Sequence, residues 1–485
     1  MKLKFILLII CLTILGCAKK EEKKQNFLFI SIDDLRPTLQ TYGYPNQEMI
    51  TPNMDKLAID GIQFNNAFTN IAVCGASRAS IMTGIRPSEK RFNDFSTRAS
   101  NDTPKAIPLN QIFLENGYET ISYGKIYHHQ DDFEEFWTDK DKGADQMDFQ
   151  DPKSIELMEN AEMGEYGKKA PAVEYPEVSD YAYNDGEITL KAISKLKELK
   201  SSETPFFLAV GYVSPHLPFI QPKKYWDMYD SDNIKIAENT YQPINSPDIA
   251  IEAQHNSAYL RKNYLGIPAQ GVLDENLSKE LIQGYYASVS YMDAMIGELI
   301  NALDELELRE NTTIVLWSDH GYFLGEHGFW EKHSTFYEGV QIPLIISAPG
   351  YEKNKKANSF TELVDIYPTL CELAGIIPPE YIHGESLVPV LKNSTYMLKD
   401  EIYTRYKQGE TIIDDNFSYT EFWERGNMLG NMLYDMNSDK GQNIDISNKV
   451  ESKELIEKYS QKLKAMRDFV NKDPFIKIIN NDQSE

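Results

Sequence analysis

Asp33-Asp34, Lys125 with His128, His216 and Asp319-His320 share a setting in the sequence. Each group follows a short apolar run, either directly or within a few residues. In open α/β sheets, ligands bind beyond the carboxyl ends of the strands. Taken singly, each group has an ordinary explanation. An Asp pair after a strand serves as a turn or helix cap, a single His packs or hydrogen-bonds, and a single Lys is solvated. Four runs that all end in such groups argue instead for one shared site. Asp33, Asp34, Asp319 and His320 together would suit a divalent cation. Oxygen-rich ligand sets favour Ca²⁺ or Mg²⁺, and one imidazole also admits Mn²⁺ or Zn²⁺. With three carboxylates in the set, Ca²⁺ is favoured.

Cys74 opens a second segment, Cys74-Gly75-Ala76-Ser77-Arg78, which runs on to Thr83-Gly84. The residues from Ala76 read as a helix ended by Gly84, with Cys74 at its N-terminus. Unpaired N–H groups and the helix dipole favour an anion there. Arg78, one turn along, could point at the same anion. A buried structural thiol and a disulfide with Cys371 are the alternatives. Cys371 lies on an amphipathic stretch at 364–374 beside Leu370 and Leu373, which suits a core role.

The elements that must position these groups alternate in type. Apolar runs at 27–32, 120–123, 206–213, 312–317 and 344–347 read as buried parallel strands. Helical patterns at 186–199 and 281–306 lie between them. Such alternation predicts an α/β domain, a large and mostly parallel sheet flanked by helices. Regions 129–185 and 230–275 are long and irregular, which in compact domains usually signals function. From about 395 the pattern changes to short alternating strands at 401–407, 411–413, 418–423 and 432–436, followed by a helix over 452–471. The expected organisation is a leader at 1–16, a polar tether at 17–25, a main domain at 26–394 and a smaller α+β domain with an antiparallel sheet at 395–485.

Composition narrows the classes further. The 485 residues are 41% hydrophobic and 25% charged, so the chain is an ordinary globular one. The formal net charge of −25 disfavours nucleic acid as a partner, because phosphate binding needs clustered Lys and Arg. Any anion site must then be a local basic pocket or a metal. The four cysteines form no CxxC knuckle and no disulfide framework. At the amino terminus, Lys2 and Lys4 precede an apolar stretch at 5–15, too short to span a bilayer, as in an export signal. Ile14-Leu15-Gly16-Cys17 then resembles a bacterial lipobox. The expectation is an exported lipoprotein with lipid on Cys17, anchored to a membrane and facing the periplasm or the outer surface.

Cys74-Gly75-Ala76-Ser77-Arg78 resembles the Cys-x-Pro/Ala-x-Arg signature of formylglycine-dependent sulfatases, the type I group of the alkaline-phosphatase superfamily. Further segments agree in order: Asp33-Asp34, Thr51-Pro52-Asn53-Met54-Asp55-Lys56-Leu57-Ala58, Gly124-Lys125 with His128, Ser318-Asp319-His320-Gly321 through Lys332, Gly384-Glu385-Ser386-Leu387 and Leu433-Tyr434-Asp435-Met436. Gly211 to Phe219 and the His in Asp319-His320 resemble the iduronate-2-sulfatase branch. Ala76 stands where Pro is commoner, and Val213 where that branch has a His.

The resemblance implies a mechanism. A maturation enzyme would oxidise Cys74 to formylglycine (3-oxoalanine). One hydroxyl of its hydrate would attack sulfur, and the second would expel sulfate from the covalent intermediate. Asp33, Asp34, Asp319, His320 and residue 74 would hold one Ca²⁺. Arg78, Lys125 and Lys332 would neutralise sulfate oxygens. His216, with Lys332, would be the acid for the leaving oxygen, and His128 the base for the second hydroxyl. The substrate expected is a sulfated polysaccharide or its oligosaccharides, with ulvan, other algal polymers and glycosaminoglycans as candidates. The alternatives are a phosphomonoester or phosphonate hydrolase of the same superfamily, and an inactive protein that binds sulfated glycans.

Overall fold

The structure is a computed structural model that describes residues 24–44, 49–141, 143, 149–251 and 259–472. The leader, Cys17 and most of the tether lie outside the described residues. An eight-stranded sheet forms the centre, in the order Lys355–Ala357, Ile62–Phe64, Leu344–Ser347, Thr312–Ser318, Asn26–Ile32, Phe206–Tyr212, Glu119–Gly124, Asp139–Asp141. Asn26–Ile32 pairs in parallel with Phe206–Tyr212 on one side and Thr312–Ser318 on the other, and Phe206–Tyr212 pairs in parallel with Glu119–Gly124. Four carboxyl ends therefore point to the same edge, and these are the ends that carry the polar groups.

The central strands are apolar on both faces because both faces are covered. Leu28, Ile30, Leu208, Val210, Ile314 and Leu316 pack under the helices Asn184–Leu199 and Glu275–Glu305. Phe27, Phe29, Phe207, Ala209, Val315 and Trp317 face the opposite way, toward the helices Cys74–Thr83, Leu109–Glu115 and Ile366–Leu373. Cys371 sits in this second core, and Cys74 and Cys371 are both free, so the disulfide alternative falls.

Three expectations need correction. Leu344–Ser347 runs antiparallel to both of its neighbours. A run buried on both faces is apolar whichever way it points, so its composition carries no direction. The signature helix begins at Cys74 rather than Ala76, after Val73 in an extended conformation, and closes at Gly84 in the left-handed region. Region 129–185 also contains a helix, Pro152–Asn160, whose start is capped by the Asp151 side chain accepting from the Lys153 N–H at 2.9 Å.

Beyond the large sheet, Glu401–Tyr406, Gly409–Asp414, Phe417–Glu424 and Asn427–Asp435 form a four-stranded antiparallel sheet. The helix Lys453–Asn471 covers one face through Tyr459 and Leu463, which meet Tyr403, Ile412, Tyr419 and Leu433. The other face packs on the main body, where Ile402 and Ile413 meet Phe68, Val340 and Phe360.

Two adjacent strand ends approach so closely that only glycine fits between them. A Cβ on Gly211 would land on the Lys125 carbonyl. The Lys125 N–H also donates to the Gly211 carbonyl at 2.8 Å. Gly211→Ala should therefore destabilise the protein by about 1–3 kcal/mol through overpacking and shift Lys125. Denaturant unfolding should show a lowered midpoint; an unchanged midpoint would mean that the Lys125 turn yields freely.

Candidate functional site

Asp33 and Asp34 emerge from the Asn26–Ile32 strand into a turn in which Asp34 takes the left-handed φ of 61°. Asp tolerates that conformation better than most side chains, and such outliers collect at functional sites. Partners on several elements hold it. The Asp34 N–H donates to Asp319 Oδ1 at 3.3 Å, and the Tyr285 hydroxyl donates to the Asp34 carbonyl at 2.7 Å while accepting from the Arg36 N–H at 2.9 Å. Asp319 and His320 follow the neighbouring strand. His320 Nδ1 lies 3.0 Å from the Gly321 carbonyl, so it carries the proton and leaves the Nε2 lone pair free. Nε2 is 3.1 Å from Cys74 Sγ and 3.6 Å from Asp319 Oδ2, and Cys74 Sγ is 3.5 Å from Asp33 Oδ1.

Two sets of donor atoms, each lying within 4.8 Å of one another, therefore share Asp33 and Cys74. One adds Asp319 and His320, the other Asp34 and His216. All the residues expected to hold a cation are brought together, and His216 joins them. Buried carboxylates, one thiol and imidazole lone pairs are a donor set that fits a divalent cation.

The three expected cationic groups lie around this cluster. Arg78 is fully buried and donates through Nε to Asp319 Oδ2 at 2.9 Å, with Nη2 3.5 Å from Asp33 Oδ2. Its Nη1 donates to the carbonyls of Lys125 and Ile126. Lys125 pairs with Asp33, and Lys332 Nζ lies 2.7 Å from Asp34 Oδ1. Burial alone would raise the Asp33 carboxyl, but Lys125 and Arg78 outweigh it and hold the group well below the usual carboxylate range. Asp34 goes the other way. Burial raises it, Lys332 only partly offsets this, and the charges of Asp33 and Asp319 push it further. Burial and the Asp33 charge push the Cys74 thiol up.

Two histidines flank the cluster. His216 Nδ1 lies 2.7 Å from the Leu217 carbonyl, which fixes its proton there and presents Nε2 to the site, 4.0 Å from Asp34 Oδ2. Burial and then Lys332 hold this imidazole well below its ordinary pKa. Burial and Lys125 likewise push His128 down to about 3, so it is a neutral, proton-accepting ring. Sequence reasoning missed two supports. Asp185 accepts from the N–H groups of Val213 and Ser214, both at 2.9 Å, and so sets the turn that carries His216. Tyr285 fixes the Asp34 backbone. Asp185 in the first turn of its helix was a readable signal; Tyr285, on the buried face of a long amphipathic helix, gave none.

The fold is that of an α/β protein, and its pocket sets donor atoms that could hold a cation beside three cationic side chains. The sulfatase family profile matches residues 25–376, and that of the N-sulphoglucosamine sulphohydrolase C-terminal region matches 325–469. The chain belongs to the sulfatase family, and is a sulfuric ester hydrolase. It is 34% identical over 396 residues to iduronate 2-sulfatase of Mus musculus, covering 73% of this chain and 69% of that one. Among solved structures it superposes on a protein in complex with its substrate D-glucosamine-2-N,6-O-disulfate, at TM-score 0.74 and 22% identity, covering 93% of this chain and 99% of that one. It also superposes on a phosphonate monoester hydrolase of Agrobacterium radiobacter, at TM-score 0.75 and 19% identity, covering 92% and 96%.

Proposed function

We propose that this sulfatase removes O-sulfate groups from a sulfated polysaccharide or its oligosaccharides, with residue 74 as the nucleophile. The observation that carries this reading is the convergence of Cys74, Asp33, Asp319 and His320 donor atoms within 4.8 Å, ringed by buried cations. The similarity to iduronate 2-sulfatase supports a sugar substrate. So does the fold shared with a protein whose substrate is a sulfated glucosamine. Desulfation of a panel of sulfated oligosaccharides by matured protein tests it, with phosphate monoesters as the comparison. Faster turnover of the phosphates than of every sulfated sugar would overturn this reading.

Calcium held by Asp33, Asp34, Asp319 and His320 would neutralise the carboxylates and polarise the nucleophile, and formylglycine at position 74 would supply a hydroxyl where the buried thiol stays protonated. This chain's own groups do the rest. Arg78, Lys125 and Lys332 bring positive charge to where sulfate oxygens must lie. His128, neutral beside Lys125, accepts a proton. His216 presents Nε2, the nitrogen left free by the Leu217 carbonyl, toward the leaving oxygen, and acts as the acid once that nitrogen has itself taken up a proton.

A sugar alkoxide is a poor leaving group, so protonation of its oxygen matters more than it does for an aryl sulfate. His216→Ala should therefore slow sugar desulfation on the order of 10²–10⁴-fold and aryl sulfate cleavage far less. Steady-state kinetics on both substrates check this, and equal losses would remove His216 from the acid role.

The Lys2-to-Cys17 pattern supports an exported protein that is lipidated on Cys17 and tethered to a membrane. Among the described residues no helix is long and apolar enough to cross one. Labelled fatty acid should enter the wild type and not Cys17→Ala; equal labelling of both would refute the anchor.

A further inference from the structure

Between His128 and His216 runs an unbroken series of ring contacts outside the cation cluster. His128 lies 6.4 Å from Phe95, Phe95 6.2 Å from Tyr166, Tyr166 5.7 Å from Tyr259, and Tyr259 5.8 Å from His216, centroid to centroid. The three middle rings come from three separate parts of the chain, near 95, 166 and 259. Phe95 is 51% exposed and Tyr166 58% exposed, each within contact of another aromatic group yet uncovered on its outer side. Contiguous exposed rings rimmed by polar groups are the kind of patch that marks a binding surface.

The backbone behind the rings is tied down by close packing and hydrogen bonds. The Phe95 carbonyl packs so tightly on Gly75, next to Cys74, that a Cβ there would clash with it. The buried Asn263 side chain ties the other two rings together. Its Oδ1 accepts from the N–H groups of Glu165 and Tyr166 at 2.9 and 3.1 Å, and its Nδ2 donates to the Tyr259 carbonyl at 2.9 Å. An ion pair between Lys262 and Glu165, at 3.2 Å, joins the same two segments. Rings on fixed backbones lose little freedom when they take a ligand.

We propose that Phe95, Tyr166 and Tyr259 form an aromatic wall for the pyranose ring bearing the scissile sulfate; because Phe95 and Tyr166 meet edge to face at 85°, one ring offers its face to the sugar and its neighbour holds that ring in place. This rests on the carbohydrate reading above. A pyranose presents an apolar C–H face with slightly positive hydrogens, and an aromatic face is slightly negative. Hydroxyls on the sugar rim remain in water. A wall that joins the His128 end of the site to the His216 end would hold the ring so that its leaving oxygen meets His216. Because the contact is to C–H groups, it selects for a ring with one unhindered apolar face and leaves the uronate or hexosamine identity to other contacts.

The test compares wild type with Phe95→Ala, Tyr166→Ala and Tyr166→Phe. The substrates are sulfated oligosaccharides prepared from heparin, ulvan and carrageenan, together with 4-nitrophenyl sulfate, and inorganic sulfate serves as a competitive probe of the ion pocket alone. Both alanine variants should raise KM for the best oligosaccharide on the order of tenfold, the loss of one partly buried ring face. Inhibition by inorganic sulfate should hold, and Tyr166→Phe should restore the wild-type KM because it keeps the ring. Thermal melting confirms that the variants fold, which the exposure of both rings favours. Unchanged KM in both alanine variants, or a parallel loss of sulfate binding, overturns the wall. If wild type cleaves the aryl sulfate and none of the oligosaccharides, the carbohydrate reading falls and takes the wall with it, a result distinct from variants that match an active wild type.

Discussion

Cys74→Ala protein is expected to fold and to lose turnover by a factor on the order of 10⁴–10⁶, the scale seen when a covalent nucleophile is removed. The fold should survive because the Cys74 side chain touches polar groups of the cluster, Asp33 Oδ1 at 3.5 Å and His320 Nε2 at 3.1 Å, while the apolar face of its helix is carried by Ala76, Ala79, Ile81 and Met82. The chemical identity of residue 74 is a separate question. Burial and Asp33 keep a thiol there protonated, and a thiolate would in any case be repelled by an anionic ester beside three carboxylates. Oxidation to formylglycine exchanges sulfur and two hydrogens for one oxygen. Mass spectrometry of the peptide containing residue 74 should show this lighter form in active protein, in proportion to activity. Full turnover by protein whose residue 74 is entirely thiol would sink the formylglycine assignment.

The parts of the fold legible in the sequence were those whose physics writes itself into composition. The strands at Asn26–Ile32, Phe206–Tyr212 and Thr312–Ser318 are buried on both faces and are apolar throughout. The edge strands were illegible. Asp139–Asp141 holds no apolar residue and lies half exposed, and Lys355–Ala357 begins with two exposed lysines. Polar edges protect a sheet from further pairing, so their strand character is hidden by design. Ile62–Phe64 is three residues long, too short for a period to register. Most of the site's groups were legible because they lie within a few residues of strand ends or on the signature helix, whereas Lys332, well past the end of Thr312–Ser318, came only with the family resemblance. What the sequence could not display is how the charges answer one another: that Arg78 spans Asp319 and Asp33, or that Lys332 reaches Asp34 from 298 residues away. Those pairings depend on loop paths that no local pattern encodes.

The same pairings determine what metal removal should do. Asp33, Asp34 and Asp319 are all buried, and three cationic groups, Arg78, Lys125 and Lys332, answer them one for one. A pocket balanced in this way offers an arriving sulfate ester little net attraction, and the acidic surface of the chain repels it. A divalent cation held by the carboxylates would turn the balance positive and leave the charge of Lys125 and Lys332 for the sulfate. Exhaustive chelation should therefore lower turnover by at least about 10²–10³-fold, the several kcal/mol that a bound cation contributes to an anionic transition state. Added Ca²⁺ should restore activity and raise the melting temperature, because it binds the folded cluster and not the unfolded chain. Burial and its acidic neighbours make Asp34 take up a proton more readily than an ordinary carboxylate, and a proton there competes with the cation. Apparent Ca²⁺ affinity should thus weaken as pH falls. Asp319→Asn keeps the shape of the side chain and removes one charge, so it should need more Ca²⁺ for the same activity. Elemental analysis must accompany the assay. Undiminished turnover in protein shown to hold no metal would refute the requirement, and restoration by Mg²⁺ but not by Ca²⁺ would overturn the choice of ion while leaving the site in place.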